Sequence, residues 1–132
     1  MISGQKIEAA DLLEAYVKKI LASRVYDLAI ETPTTFAPKL SKKLGIRVSL
    51  KREDMQEIFS FKVRGAYNKL SLLSCQEKKL GVIAASAGNH AQGVAIAARE
   101  LGIEATIVMS HNTPDIKVAA VKDIGAKVIL EG

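Results

Sequence analysis

The sequence is poor in the residues that cross-link, kink or stack in proteins: it has one cysteine, three prolines and no tryptophan. The single Cys75 excludes a disulfide framework and a cysteine-based metal site, and it favours a reducing, cytoplasmic compartment. No apolar run approaches the ~20 residues of a membrane-spanning helix, so we expect no membrane span. Glu8 and Asp11 interrupt the N-terminal stretch, which argues against a signal or transit peptide.

The net charge of +5 raises the question of nucleic-acid binding. There is no arginine-rich arm, and aromatic residues are not interleaved with basic ones as stacking platforms, so we expect no nucleic-acid partner. A basic balance equally suits an anionic small molecule such as a phosphate ester or a carboxylate. His111 and Asp115 have no further ligands at a suitable spacing, so no metal site is expected.

Four glycines punctuate the chain: Gly45, Gly81, Gly102 and Gly125 each end a polar-rich stretch and precede a short apolar run. Glycine just after a helix takes the left-handed conformation without a Cβ clash, so these positions predict helix-to-strand junctions. The predicted strands are 46–51, 82–86, 105–109 and 127–130. The predicted helices are 7–23, 36–44, 62–74, 90–101 and 114–124, the last with Thr113 as its N-cap.

This alternation predicts an α/β fold, in which a parallel sheet is buried between helices on both faces. Cys75, which follows a predicted helix, is expected to be a small packing residue. The last predicted strand runs almost to Gly132, with no helix after it to cover the sheet. We therefore expect the fold to be incomplete at its C-terminus and the chain to be part of a longer protein.

The stretch A-A-S-A-G-N-H-A-Q-G-V-A (84–95) reads as a strand, a turn and a helix that opens near His90. Ligands of parallel α/β sheets bind at the carboxyl ends of strands, and the free N–H groups of the next helix favour an anion there. Gly88 and Gly93 fit neither a P-loop nor the G-x-G-x-x-G fingerprint. The alternative is an ordinary strand–helix turn with Asn89 as the cap.

The stretch S-F-K-V-R-G-A-Y (60–67) places two cations, Lys62 and Arg64, in the first turn of a predicted helix, where the positive helix end disfavours them. Apolar residues follow at helical spacing: Val63, Ala66, Tyr67, Leu70 and Leu73. Desolvation and the positive helix end both favour a neutral amine, which is the form that makes Schiff bases with carbonyl cofactors. The alternative is a solvated lysine near a helix start.

Three motifs in this order, K-R-E-D-M-Q (51–56), S-F-K-V-R-G-A-Y (60–67) and S-A-G-N-H-A-Q-G-V-A (86–95), resemble the N-terminal part of the threonine dehydratase (threonine deaminase) family. These are pyridoxal-phosphate enzymes of the tryptophan-synthase β-subunit fold type, also called fold type II. The resemblance starts at about Tyr16. It implies that residues 1–132 are the N-terminal part of the catalytic domain, with the glycine-rich phosphate-binding loop and the regulatory domain outside them.

The resemblance also implies roles for individual residues. Lys62 matches the catalytic lysine that holds pyridoxal 5′-phosphate, Phe61 matches a residue beside the cofactor, and Arg64 a residue with an unspecified supporting role. Asn89 matches the asparagine that hydrogen-bonds the 3′-oxygen of the pyridoxal ring. The loop that receives the substrate carboxylate matches Ser86, Ala87, Gly88, Asn89 and His90.

The activity implied is conversion of L-threonine to 2-oxobutanoate and ammonia, the first step of isoleucine biosynthesis, with L-serine as a second substrate. A cytoplasmic homotetramer is implied for the full-length form, and these residues alone are expected to hold the cofactor weakly or not at all. K-R-E-D and R-G-A-Y resemble the biosynthetic form more than the catabolic one. A catabolic threonine or serine dehydratase, a serine racemase and a non-enzymatic ligand-binding remnant of the fold stay open as alternatives.

Overall fold

A computed structural model describes residues 9–132 of the chain. The helices are α1 (Ala9–Leu21), α2 (Pro38–Leu44), α3 (Lys62–Ser71), α4 (Cys75–Leu80), α5 (Asn89–Leu101) and α6 (Asp115–Ile124), with short 3₁₀ turns at Val25–Asp27 and Glu53–Met55. The strands are β1 (Thr34–Phe36), β2 (Ser49–Lys51), β3 (Val82–Ala85), β4 (Ala105–Met109) and β5 (Lys127–Leu130). Within this part of the chain, no helix combines the length and the apolar character needed to cross a bilayer.

The main sheet contains β3, β4 and β5 in that order, all parallel, so the predicted α/β fold with a parallel sheet is confirmed. Alternate residues of β4 point to one face, where Ile107 and Met109 join the same core as Ala95 of α5 and Val121 of α6. The opposite face carries Ile83, which is 72% exposed. Among residues 9–132, α5 and α6 therefore cover one face of the sheet, whereas the sequence predicts helices on both.

Helix α5 is the centre of the core, and its side chains are small where the packing is tight. Ala91 and Ala97 are fully buried, and Val94, Ala95 and Ala98 are almost so. Small side chains let α3 and the sheet approach α5 closely from different sides. The predicted apolar stripe of α3 is confirmed for Val63, Ala66, Tyr67 and Leu70, which are all buried, whereas the helix ends at Ser71 and leaves the fifth residue, Leu73, beyond it and half-buried.

The predicted strand 46–51 is wrong in both extent and partner. Only Ser49–Lys51 form a strand, β2, which pairs antiparallel with β1 outside the main sheet. All three residues of β2 are exposed. The stretch I-R-V-S-L-K alternates apolar and polar residues, which is typical of a half-exposed antiparallel strand rather than of a strand buried on both faces.

Two helix starts also differ from expectation. Thr113 does not cap α6, because Pro114 occupies the cap position and no side chain caps the helix. Cys75 begins α4 and is exposed, so it is not a packing residue. The start of α4 is fixed by a capping box, in which Ser74 and Glu77 each hydrogen-bond the other's backbone N–H.

All four predicted junction glycines have a positive φ, and Gly81, at φ 79°, is the most constrained of them. A Cβ at Gly81 would lie 2.8 Å from the backbone oxygen of Glu104. We expect Gly81→Ala to lower the free energy of unfolding by about 1–3 kcal/mol, measured by urea unfolding of the full-length protein. Gly65→Ala is the control, because Gly65 lies inside α3 with open space around it, and it should be neutral or stabilising.

Candidate active site

The turn after β3 lies at the carboxyl end of the parallel sheet, as predicted. The Ser86 N–H continues the strand ladder by donating to Val108 O at 3.0 Å, and α5 begins at Asn89. Gly88 is the N-cap and no side chain caps the helix, so the alternative of Asn89 as the cap is wrong. The first N–H groups of α5 therefore have no side-chain acceptor, which suits an anion.

The five residues predicted to receive a carboxylate are distributed across this turn. Ser86, Ala87 and Gly88 are half-buried, and Asn89 and His90 are exposed in the first turn of α5. The Gly88 N–H donates to Ser86 Oγ at 3.3 Å, which closes the turn locally. The exposed pair faces outward from the protein, where a ligand can reach it.

Lys62 is the first residue of α3 and lines a cavity of about 210 Å³ together with Phe61, Gly65, Ala66 and His90. The structure thus brings together residues from two separate sequence motifs, Lys62 from the second and His90 from the third. A second, largely apolar cavity of about 250 Å³ shares Gly65, Ala66 and His90 with the first. The two cavities adjoin each other beside α3 and the edge strand β3.

Helices α3 and α5 approach each other closely at Lys62 and Gly93. A Cβ added to Gly93 of α5 would lie 3.1 Å from Lys62 O and 3.3 Å from Lys62 Cβ. A side chain at this position would require the backbone of Lys62 to shift by a few tenths of an ångström, so glycine suits this close approach. Gly93 is therefore a candidate functional residue. The sequence analysis includes it in the third motif but assigns it no role.

The side chain of Lys62 is exposed, which differs from the expected desolvation. Its Nζ lies over the ring of Phe61, 5.2 Å from the ring centre, and Phe61 is itself 59% exposed. Val63, on the other side, points into the core and does not cover the amine. The apolar neighbours in the sequence therefore do not bury Lys62 within the described residues; its position at the N-terminal end of α3 is as predicted.

Arg64, whose role the sequence left unspecified, makes an ion pair with Glu53. Its Nε donates to Glu53 Oε2 at 2.8 Å and its Nη2 to Glu53 Oε1 at 2.9 Å. Nη2 also donates to Ile30 O at 3.2 Å, and the guanidinium lies 5.1 Å from the ring centre of Tyr26. This two-point pair offsets the cost of a cation near the helix start.

Glu53 is held from its other side by two buried polar residues, Thr32 and Gln56. Thr32 Oγ1 donates to Glu53 Oε1 at 2.6 Å, and Gln56 Nε2 donates to Glu53 Oε2 at 3.3 Å. The Gln56 amide also exchanges hydrogen bonds with the backbone of Ile30, at 2.9 and 3.0 Å. The K-R-E-D-M-Q motif thus ties the segment around residue 30 to the first turn of α3.

The hydrogen bonds from Arg64, followed by that from Thr32, lower the pKa of Glu53 from about 4.5 to about 2. A carboxylate with a lowered pKa stabilises the folded state fully above its unfolded pKa, and this contribution disappears as pH falls through the folded pKa. We therefore expect Glu53 to contribute on the order of 3 kcal/mol at pH 7, lost between pH 4.5 and pH 2.

Urea unfolding of the full-length protein from pH 7 down to pH 3 checks this expectation. Glu53→Gln should be less stable at pH 7, and its deficit should shrink as the pH falls. Asp54→Asn is the matched control, because it breaks the neighbouring Arg52–Asp54 pair, which is exposed to water. A deficit that stays constant across this pH range would contradict the assignment to the charge of Glu53.

The chain is similar to known proteins in both sequence and fold. A sequence profile described as pyridoxal-phosphate dependent enzyme matches residues 25–131. The chain is 57% identical over 117 residues to a protein of Solanum lycopersicum named threonine dehydratase 1 biosynthetic, chloroplastic. The matched region covers 89% of this chain and 19% of that protein. The first curated relatives that it matches are about four to five times longer, since it spans 24% and 19% of them.

Two solved structures share the fold of the chain. The processed form of threonine deaminase isoform 2 from Solanum lycopersicum is 54% identical, with a TM-score of 0.89 over 95% of this chain and 34% of that one. Maize serine racemase is 32% identical, with a TM-score of 0.80 over 89% of this chain and 35% of that one. The described residues therefore correspond to part of a larger catalytic fold in each of these two proteins.

Proposed function

Because this chain belongs to the family of pyridoxal-phosphate-dependent enzymes, we propose that the protein carrying it is a threonine dehydratase of the biosynthetic type. The reaction converts L-threonine to 2-oxobutanoate and ammonia, with L-serine converted to pyruvate as a second activity. The observation that carries the proposal is the shared cavity of Lys62 and His90, in a chain that is 57% identical to a biosynthetic threonine dehydratase.

The residues around Lys62 fit pyridoxal phosphate. A primary amine lies at a cavity of about 210 Å³, and Gly65 and Gly88 have nothing within 4 Å of where a Cβ would be, which leaves open space near the amine and the turn. Lys62 would hold the cofactor covalently, with Phe61 beside it and the amide of Asn89 on the 3′-oxygen of the ring. When bound, the group supplies an electron sink for the carbon that bears the substrate amine.

The remaining tasks are assigned to the N-terminal ends of two helices: substrate binding to α5 and proton transfer to α3. The uncapped start of α5 and the turn before it would bind the substrate carboxylate through the backbone N–H groups of Ala87, Asn89 and His90, while Ser86 and Gly88 use their own N–H groups to shape the turn. That contact orients the Cα–H bond toward α3. With the cofactor in place, Lys62 Nζ would accept the Cα proton as a general base. The Cα–Cβ double bond would then form as the Cβ–O bond breaks, and the β-hydroxyl would leave as water with the proton returned by Lys62. The amine must be uncharged for both tasks.

Residues 1–132 are proposed to form the N-terminal part of the catalytic domain, with the phosphate-binding loop and the regulatory domain elsewhere in the protein. The 19–24% share of the relatives' length supports this proposal. We further propose a homotetramer in a cytoplasmic, reducing compartment, which suits the exposed free thiol of Cys75. An organelle is the alternative, since the tomato relative is named chloroplastic.

The proposed function is tested by assaying the purified full-length protein, with pyridoxal phosphate, on L-threonine and on L-serine. We expect 2-oxobutanoate from L-threonine at a higher kcat/KM than pyruvate from L-serine. Formation of D-serine without 2-oxobutanoate would favour a racemase, which the similarity to maize serine racemase makes the second candidate. Cofactor binding without turnover of either amino acid would instead favour a non-enzymatic remnant.

A further inference from the structure

We propose that Glu53 and Arg64 form a positioning pair, which sets the rotation of α3 about its axis and thereby aims the Lys62 amine at the cavity. This inference rests on the function proposed for Lys62. It assigns a task to two charged residues that line neither of the two cavities beside Lys62 and His90. It also explains why the first turn of α3 contains a second cation.

The geometry of a helix links the two side chains. With 3.6 residues per turn, residues two positions apart point to nearly opposite sides, so Arg64 and Lys62 face away from each other across α3. The two hydrogen bonds from Arg64 to Glu53, at 2.8 and 2.9 Å, fix both the direction and the plane of the guanidinium. Together with the buried stripe of Val63, Ala66, Tyr67 and Leu70, holding Arg64 on one side of the helix therefore fixes the direction of the Lys62 Cα–Cβ bond on the other side.

Glu53, the partner of Arg64, is itself held in place by hydrogen bonds. Glu53 accepts hydrogen bonds from the buried side chains of Thr32 and Gln56, and Gln56 is anchored to Ile30. The side chains of Arg64 and Glu53 are only 24% and 17% exposed, so water and salt screen the pair weakly. The adjacent Arg52–Asp54 pair, at 38% and 59%, lies in water and holds no part of α3.

The loop that enters α3 does not fix its start by itself. The side chain of the N-cap residue, Phe61, accepts no hydrogen bond from the helix. The Lys62 N–H donates a hydrogen bond to Ser60 Oγ at 3.2 Å. Phe59 has a φ of 54°, a conformation that residues other than glycine rarely adopt and that persists only when its surroundings impose it. The residues on both sides of Phe59 supply that restraint, since Ile58 and Ser60 are buried and the Phe59 N–H donates to the backbone oxygen of Gln56 at 2.8 Å, and the side chain of Gln56 belongs to the Glu53 network.

The experiment compares Glu53→Gln, Arg64→Lys and the control Asp54→Asn in the full-length protein. Glu53→Gln keeps the shape of the side chain but removes its charge, and Arg64→Lys keeps the charge but loses the two-point contact. Three quantities are measured at a temperature well below each variant's melting point. They are amide hydrogen exchange of segment 60–66 without cofactor, the Kd for pyridoxal phosphate, and the split between kcat and KM for L-threonine.

We expect Glu53→Gln to exchange faster in segment 60–66, to raise the cofactor Kd by about tenfold or more, and to lower kcat by a similar factor. KM for L-threonine should change much less, because the proposed carboxylate site lies on α5. Arg64→Lys should fall between Glu53→Gln and the wild type, and Asp54→Asn should match the wild type. If Glu53→Gln does not fold, Arg64→Lys alone carries the comparison.

Two results would overturn the inference in different ways. If the wild type binds the cofactor and the folded Glu53→Gln and Arg64→Lys variants bind it equally well, the pair has only a structural role and the proposed function still stands. If the wild type neither binds the cofactor nor turns over L-threonine, the proposed function fails, and the positioning role fails with it.

Discussion

We expect Lys62→Ala to abolish covalent capture of pyridoxal phosphate by the full-length protein and to lower kcat/KM for L-threonine by at least about 10³-fold. The reason is that one amine is assigned two tasks, holding the cofactor and accepting the Cα proton. Lys62 lines the cavity next to His90, and it is the one lysine among the residues that line this cavity. Turnover is measured by 2-oxobutanoate release, and capture by the visible absorbance of the bound cofactor.

Two further variants show whether the effect belongs to the amine of Lys62. Lys62→Arg keeps the positive charge but cannot form the covalent link, so it should lose capture like Lys62→Ala. Lys79→Ala, at the exposed end of α4, removes a lysine away from the cavity and should leave both readouts unchanged. Residual turnover above about a hundredth of the wild-type rate in Lys62→Ala would be inconsistent with the assignment, given the 10²–10⁴-fold that a positioned base alone contributes.

Gly93→Val should have the second-largest effect, because it places a branched side chain where α5 meets Lys62. Even a Cβ at this position would lie 3.1 Å from Lys62 O and 3.2 Å from Lys62 C, both of them backbone atoms that cannot rotate away. Overpacking of this kind costs about 1–3 kcal/mol of stability or more. Because the displaced atoms belong to Lys62 itself, we also expect cofactor capture to weaken by at least about tenfold.

The matched control for Gly93→Val is Ala98→Val, which overpacks the same helix further along its length. Ala98 is 1% exposed within the main core, so this variant should lose comparable stability. Its cofactor affinity should stay near the wild-type value at temperatures where it is folded. Equal loss of affinity in both variants would mean that cofactor capture depends on stability in general, and not on the contact between Gly93 and Lys62.

Much of the main sheet could be predicted from sequence, because its signals are local. The strand–turn–helix pattern of residues 84–95 and the apolar stripe of α3 each lie within one stretch of chain, and both are confirmed. Strand β1 was missed because its three residues, Thr34–Phe36, are too few to show a period. The end of helix α4 at Gly81 was predicted, but its start was missed although the signal was present, as the S-x-x-E spacing of Ser74 and Glu77.

The parts of the candidate site that escaped prediction are contacts between segments. Arg64 could be recognised as an anomaly in a first turn, but its partner Glu53 lies eleven residues earlier, across a 3₁₀ turn and a loop. The contact between Gly93 and Lys62 depends on how two helices cross. The burial of Lys62 was overestimated because neighbours in sequence on a helix point in different directions: Val63 turns inward, and Lys62 does not.

The central claim is that Lys62 is the residue that carries the cofactor. The most direct measurement is to incubate the full-length protein with pyridoxal phosphate, reduce it with borohydride, digest it and locate the added mass by peptide mass spectrometry. The account predicts the modification on the peptide that contains Lys62, at close to one per chain. Modification of another lysine in its place, such as Lys51 or Lys69, or of none, would contradict it.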